Sequence, residues 1–147
     1  MEYIGGFTMN KYKNEKMNID GYTFASKVEA KYYEKLKVDK AAGKIVNFEL
    51  QPVFMLQPKF TLATGKNVRA IIYKADFRVY NLDGSETIID IKGMATQEAK
   101  LKRKLFCYKF FIYELLWLVW NGGNWRSYDT VAKERLAKKK VKKNEQV

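Results

Sequence analysis

A chain of 147 residues, 47% hydrophobic and 15% aromatic, is the size of one domain with a single sizeable core and is not a disordered composition. Lys and Arg outnumber Asp and Glu by 28 to 16, and the net charge of +12 points to a polyanionic partner, nucleic acid ahead of a membrane surface. There is no histidine and only one cysteine, Cys107, which excludes Ser-His triads, His-ligated zinc, a zinc cluster and a disulfide framework, and suits a reducing compartment such as the cytoplasm.

Without histidine, any hydrolysis must run on carboxylates, lysines and a hard metal ion. Residues 1–16 are polar and weakly patterned and read as a mobile leader with no secretory signal. Met17-Asn18-Ile19 and Tyr22-Thr23-Phe24 flank Asp20-Gly21 as a short hairpin. Ser26-Lys27-Val28-Glu29 is a capping box that starts a helix with Val28, Tyr32, Tyr33 and Leu36 as its apolar stripe, ended by Gly43. Glu29 then sits beside the stripe, at the edge of the core.

The alternation in Ile45-Val46-Asn47-Phe48-Glu49-Leu50 predicts a half-buried strand, interrupted at Gln51-Pro52 and continued through Val53 to Leu56. Thr64-Gly65-Lys66-Asn67 is a turn. Arg69 to Tyr80 alternates so that Ile71, Tyr73, Ala75, Phe77 and Val79 share one apolar face, and it reads as one strand. Thr87, Ile89 and Ile91 form the matching face of the next strand, after the three-residue loop Leu82-Asp83-Gly84.

Closing that loop pairs Asn81 with Ser85, so partners sum to 166 and Asp76 falls opposite Asp90, with Lys92 two positions along the same face. Two carboxylates at that spacing repel unless a cation lies between them. Acid, acid and lysine on one face therefore predict a metal site at Asp76, Asp90 and Lys92, set against the alternative of an ordinary surface ion pair.

Thr96 to Lys109 reads as a helix with Leu101, Leu105 and Tyr108 as its apolar stripe. Its surface would carry Lys100, Lys102, Arg103 and Lys104, as a solvated face or a phosphate-tracking one. The apolar run 106–120 is interrupted by Lys109 and Glu114 and is shorter than the roughly 20 residues a bilayer crossing needs, so no membrane partner is expected. Residues 110–120 are too apolar for a surface helix and read as a buried strand in preference to an extension of the preceding helix, turned back at Asn121-Gly122-Gly123-Asn124. A last helix from Asp129 becomes strongly basic at Lys138, Lys139 and Lys140 and reads as an electrostatic anchor in the segment 129–147. No linker or repeat divides the chain, so a single domain is expected.

In this order the residues resemble the PD-(D/E)XK nuclease superfamily. Its core is a helix bearing a glutamate, a strand with an aspartate, a hairpin, and a strand with Asp or Glu, any residue, Lys; here Glu29, Asp76 and Asp90-Ile91-Lys92. The blocks Phe24-Ala25-Ser26-Lys27-Val28-Glu29-Ala30, Glu49-Leu50-Gln51-Pro52, Ala75-Asp76-Phe77 and Asp90-Ile91-Lys92-Gly93 resemble a family of small phage-encoded proteins placed in that superfamily. Ala75 stands where the superfamily's name has proline.

The resemblance implies an α/β (α+β) fold with a restriction-endonuclease-like core, a mixed central sheet flanked by helices in helix-strand-hairpin-helix-strand order. It implies Mg²⁺ or Mn²⁺ held by Asp76, Asp90, the Ile91 carbonyl and, directly or through a water, Glu29, with Lys92 orienting the attacking water or stabilising charge on the phosphoryl oxygens, and Gln51 as a weaker candidate. The implied activity is a DNA endonuclease, selective for branched or four-way-junction DNA in phage recombination, and a homodimer would suit paired nicks. A non-catalytic nucleic-acid-binding module on the same fold and an RNA nuclease remain as alternatives.

Overall fold

A computed structural model describes residues 15–146, so of the leader expected at 1–16 only Glu15 and Lys16 fall among the described residues. Strands β1 (Met17–Ile19) and β2 (Tyr22–Phe24) form the expected hairpin, with Asp20 and Gly21 at positive φ in its turn. Helix α1 (Lys27–Ala41) starts on Ser26, whose side chain accepts the Glu29 N–H, and stops before Gly43 at φ 70°. It buries Ala30, Tyr32, Tyr33 and Leu36.

Strand β3 (Asn47–Leu50) ends at Gln51, which takes φ 52° ahead of Pro52. A non-glycine residue in that region is strained, and the chain turns there out of the main sheet. β4 (Val53–Gln57), β5 (Phe60–Thr61), β6 (Asn67–Val68) and β7 (Ile71–Lys74) make two small antiparallel pairs, β4 with β7 and β5 with β6. The chain then returns to the main sheet as β8 (Phe77–Tyr80) and β9 (Glu86–Ile91). α2 (Gln97–Lys109) leads to β10 (Glu114–Asn121), which runs parallel to β9 with Trp117 beside Asp90. β11 (Asn124–Ser127) turns back on β10, and α3 (Tyr128–Glu145) closes the chain.

The main sheet is mixed, in the order β11-β10-β9-β8-β3, and the α/β class is as expected. α1 covers one face, where Phe24, Tyr32, Leu36, Phe77, Val79 and Ile89 form a core cluster. Phe54, Tyr73, Ala75, Ile88 and Phe106 of α2 form a second. β9 is buried on both faces, as a central strand between two helical layers should be.

Two expectations are corrected. Residues 69–80 are not one strand with one apolar face: Tyr73 and Ala75 pack in the second cluster, Phe77 and Val79 in the first. The side change falls at Ala75-Asp76, where Ala75 N–H donates to Pro52 O and Asp76 N–H to Ile89 O. α2 is also rotated from the expected face. Leu101 is 58% and Tyr108 87% exposed, Leu105 is exposed as well, and the fully buried residue is Phe106. The stems of Lys102 and Arg103 pack inward instead, half-buried.

Candidate metal centre

The register argument holds over β8, where Phe77 pairs Ile89 and Tyr80 pairs Glu86, after a loop closed by Asn81 N–H to Ser85 O and Gly84 at φ 84°. It fails by one step at Asp76. The ladder stops at Phe77, and Asp76 N–H donates to Ile89 O, the carbonyl opposite Phe77, where regular antiparallel alternation would turn the Asp76 N–H away from β9. The Asp76 side chain consequently lies along the end of β9, and its Oδ2 accepts the Ile91 N–H at 2.7 Å. It does not sit in a ladder pair with Asp90.

The two carboxylates are still neighbours. Burial, then the charges of Asp90 and Glu29, push the Asp76 carboxyl well above its ordinary range, to about 8, against the pull of the Ile91 N–H. Glu29 reaches the same group electrostatically from the first turn of α1. Its own carboxyl is raised mainly by burial and further by Asp90, and is lowered by the Ala25 backbone, the Ser26 side chain and Lys92. Glu29 is thus both a capping-box residue and a member of the acidic group.

Asp90, 4% exposed, is the most constrained of the three. Its Oδ2 accepts the Tyr73 hydroxyl at 2.6 Å and ion-pairs with Lys92 Nζ at 3.0 Å. Tyr73 in turn accepts Trp117 Nε1–H at 2.9 Å. Burial and the neighbouring Asp90 charge push the Tyr73 phenol far above its usual range, so it stays a donor. The Arg103 guanidinium lies 4.0 Å from the Trp117 ring centroid and forks onto Asp129 of α3 at 3.1 Å, while Lys92 Nζ lies 5.0 Å from the same centroid.

In the sequence Tyr73 and Trp117 read only as apolar-face and core aromatics. The available signal was that a buried Tyr or Trp needs a partner for its polar atom.

Other expected site residues separate. Lys100 and Lys104 are exposed on α2. Lys102 pairs with Glu98, and Arg103 pairs with Asp129 and lies over the Trp117 ring. Lys138, Lys139 and Lys140 are exposed on α3. Gln51 donates its backbone N–H to Asp76 O and lines a cavity of about 320 Å³ with Tyr22, Glu29 and Asp76.

Whether these groups suit a divalent ion is a matter of donor type and number. Among the described residues no three acidic side chains stand close enough to enclose an ion by themselves. Mg²⁺, however, commonly takes one or two carboxylates and keeps several waters. Asp76 and Asp90 supply two hard oxygen donors, and the mutual repulsion that raises Asp76 is what a cation would relieve. The donor type and number of the pair suit Mg²⁺ or Mn²⁺.

An α/β domain with a buried and a half-buried carboxylate and a lysine at the end of a central strand is the class these features define. Residues 9–122 match the family described as "Protein of unknown function (DUF1064)", and the chain belongs to it. No curated protein and no solved structure matches. No helix among the described residues is long and apolar enough to cross a membrane.

Proposed function

We propose that this protein is a Mg²⁺- or Mn²⁺-dependent DNA endonuclease on a restriction-endonuclease-like core, working on branched DNA in phage recombination or DNA processing. The observation that carries the reading is the pairing of half-buried Asp76 with buried Asp90, with Lys92 ion-paired to Asp90, on a chain of net charge +12. A bound ion would neutralise phosphate charge and lower the pKa of a water molecule. Asp76 and Asp90 would hold it, and Tyr73 fixes the Asp90 carboxylate through the oxygen it shares with Lys92.

Lys92 stands ready to transfer its ammonium from Asp90 to a phosphoryl oxygen, where charge builds as water attacks phosphorus and the ester P–O bond breaks. The products are a phosphate monoester and a free hydroxyl. A homodimer and a cytoplasmic location belong to the same reading. The test is cleavage of supercoiled plasmid and synthetic four-way junctions in Mg²⁺ or Mn²⁺, with an RNA strand as comparison. Absence of cleavage, or cleavage that survives Asp90→Ala and Lys92→Ala, overturns it.

A second reading is favoured by the lack of three converging acids among the described residues: a nucleic-acid-binding module without turnover. It predicts salt-sensitive binding indifferent to metal and to Asp76→Asn. Titration calorimetry with Mn²⁺ separates the two, since only the nuclease should give heat that Asp76→Asn abolishes.

A further inference from the structure

Glu29 lines two cavities of opposite character. The smaller, with Gln51, Tyr22 and Asp76, carries acids and no cation. The larger, about 820 Å³, is lined by Ser26, Glu29, Lys92, Gly93, Trp120 and Arg135, among others, and Glu29 is its one acid. We infer that this larger cleft takes a single strand of nucleic acid, so that the bond delivered to Asp76 and Asp90 lies in an unpaired segment. The inference rests on the nuclease reading of the acids and adds the substrate form.

Size is the first argument. Such a volume holds a few nucleotides, whereas a duplex, whose major groove alone is about 12 Å wide, does not enter it. Charge is the second. Arg135 of α3 lines the cleft and donates to Gly93 O at 3.3 Å, a long bond to a neutral acceptor that leaves most of its donors free. It has no acid partner among the described residues. Lys31 Nζ stands 3.5 Å from the centroid of the Trp120 ring and likewise has no acid partner among the described residues, so a further cation lies at the cleft wall.

Chemistry of the wall is the third. An exposed ammonium on a ring is held weakly, and a base stacked on the same ring is held more strongly, so a strand can displace Lys31 onto its own phosphate. Gly93 also lines the cleft, and a Cβ there would meet no atom within 4 Å, so a side chain at this position has open space.

The experiment is fluorescence anisotropy of the full chain with a labelled DNA strand of about 15 nucleotides, single or in blunt duplex, in Ca²⁺ to suppress turnover. The single strand is expected to bind at least about fivefold tighter than the duplex. Arg135→Ala and Gly93→Leu should each weaken single-strand binding by about fivefold or more and leave duplex binding within about twofold. Exchanging Lys138, Lys139 and Lys140 for Ala should weaken both forms alike.

Equal or tighter duplex binding, or an Arg135→Ala variant that loses neither form or both equally, overturns the inference. Arg135 is exposed, so that variant decides the matter even if Gly93→Leu does not fold. The two readings fail separately. Strand-selective binding without Mn²⁺-dependent cleavage sinks the nuclease and leaves the cleft, whereas cleavage of blunt duplex that Arg135→Ala does not affect sinks the cleft alone.

Discussion

Asp76→Asn should make the metal-free protein more stable, and by an amount that depends on pH. Asp76 is raised from 3.8 to about 8 by burial and by Asp90 and Glu29. The folded state therefore holds a proton that the unfolded chain releases above about pH 4. For an acid shifted upward, stability falls as pH rises from the unfolded value toward the folded one. At about 1.4 kcal/mol per unit the full window corresponds to about 6 kcal/mol, an upper bound because the repulsion is shared with Asp90. Asparagine removes the charge and keeps an oxygen for the Ile91 N–H, so the expected gain is about 2–4 kcal/mol at pH 8 and near zero at pH 4. Thermal melts in EDTA would show this as a Tm increase of about 5–15 °C at pH 8 that vanishes by pH 4. Mn²⁺ should raise the Tm of the natural protein and not of the variant. A variant less stable than the natural protein at pH 8, or a gain equal at both pH values, would refute the account of the acidic group.

Tyr73→Phe keeps the ring in the core but removes the donor to Asp90. It should weaken Mn²⁺ binding about tenfold by calorimetry, with cleavage falling in parallel. Gln51→Gly should relieve the strain at φ 52° and hold or raise the Tm, and if cleavage also falls, the Gln51 side chain acts in the site. Phe106→Ala, at a fully buried ring, should cost about 3–5 kcal/mol in denaturant unfolding. Leu101→Ala on the exposed face of the same helix should cost less than about 1 kcal/mol.

What could be read in advance was local. Leu82-Asp83-Gly84 fixed the hairpin register because a three-residue loop leaves no slack, and Ser26 to Glu29 fixed the start of α1 because the cap is made within one turn. Asp90 and Lys92 share a face simply by lying two apart on a strand, and the ion pair follows. The misplaced features depend on distant partners. Nothing near Asp76 in sequence announces that Pro52 O will take the Ala75 N–H and turn Tyr73 to the other side of the sheet. The strained Gln51 and Pro52 were the visible half of that event. The buried face of α2 departs from its apolar stripe because a tertiary partner decides which side faces in. Arg103 instead packs on Trp117 with its charge answered by Asp129, while Leu101 and Tyr108 are left outside.

The side change at Ala75-Asp76 is what joins these parts into one site. Had residues 69–80 continued as a flat strand, Tyr73 would share the α1 face with Phe77 and its hydroxyl could not meet Asp90. Because the chain changes side between Ala75 and Asp76, Tyr73 enters the layer beneath β9 and β10 and stands between Asp90 and Trp117. The same step leaves Asp76 outside regular pairing, so its carboxylate is free to reach the end of β9. One irregularity thus places one acid and supplies the donor that fixes the other. Trp117 continues the line to Arg103 and Asp129, so the position of α3, and with it Arg135 lining the cleft, is tied to the carboxylate pair through side chains in contact.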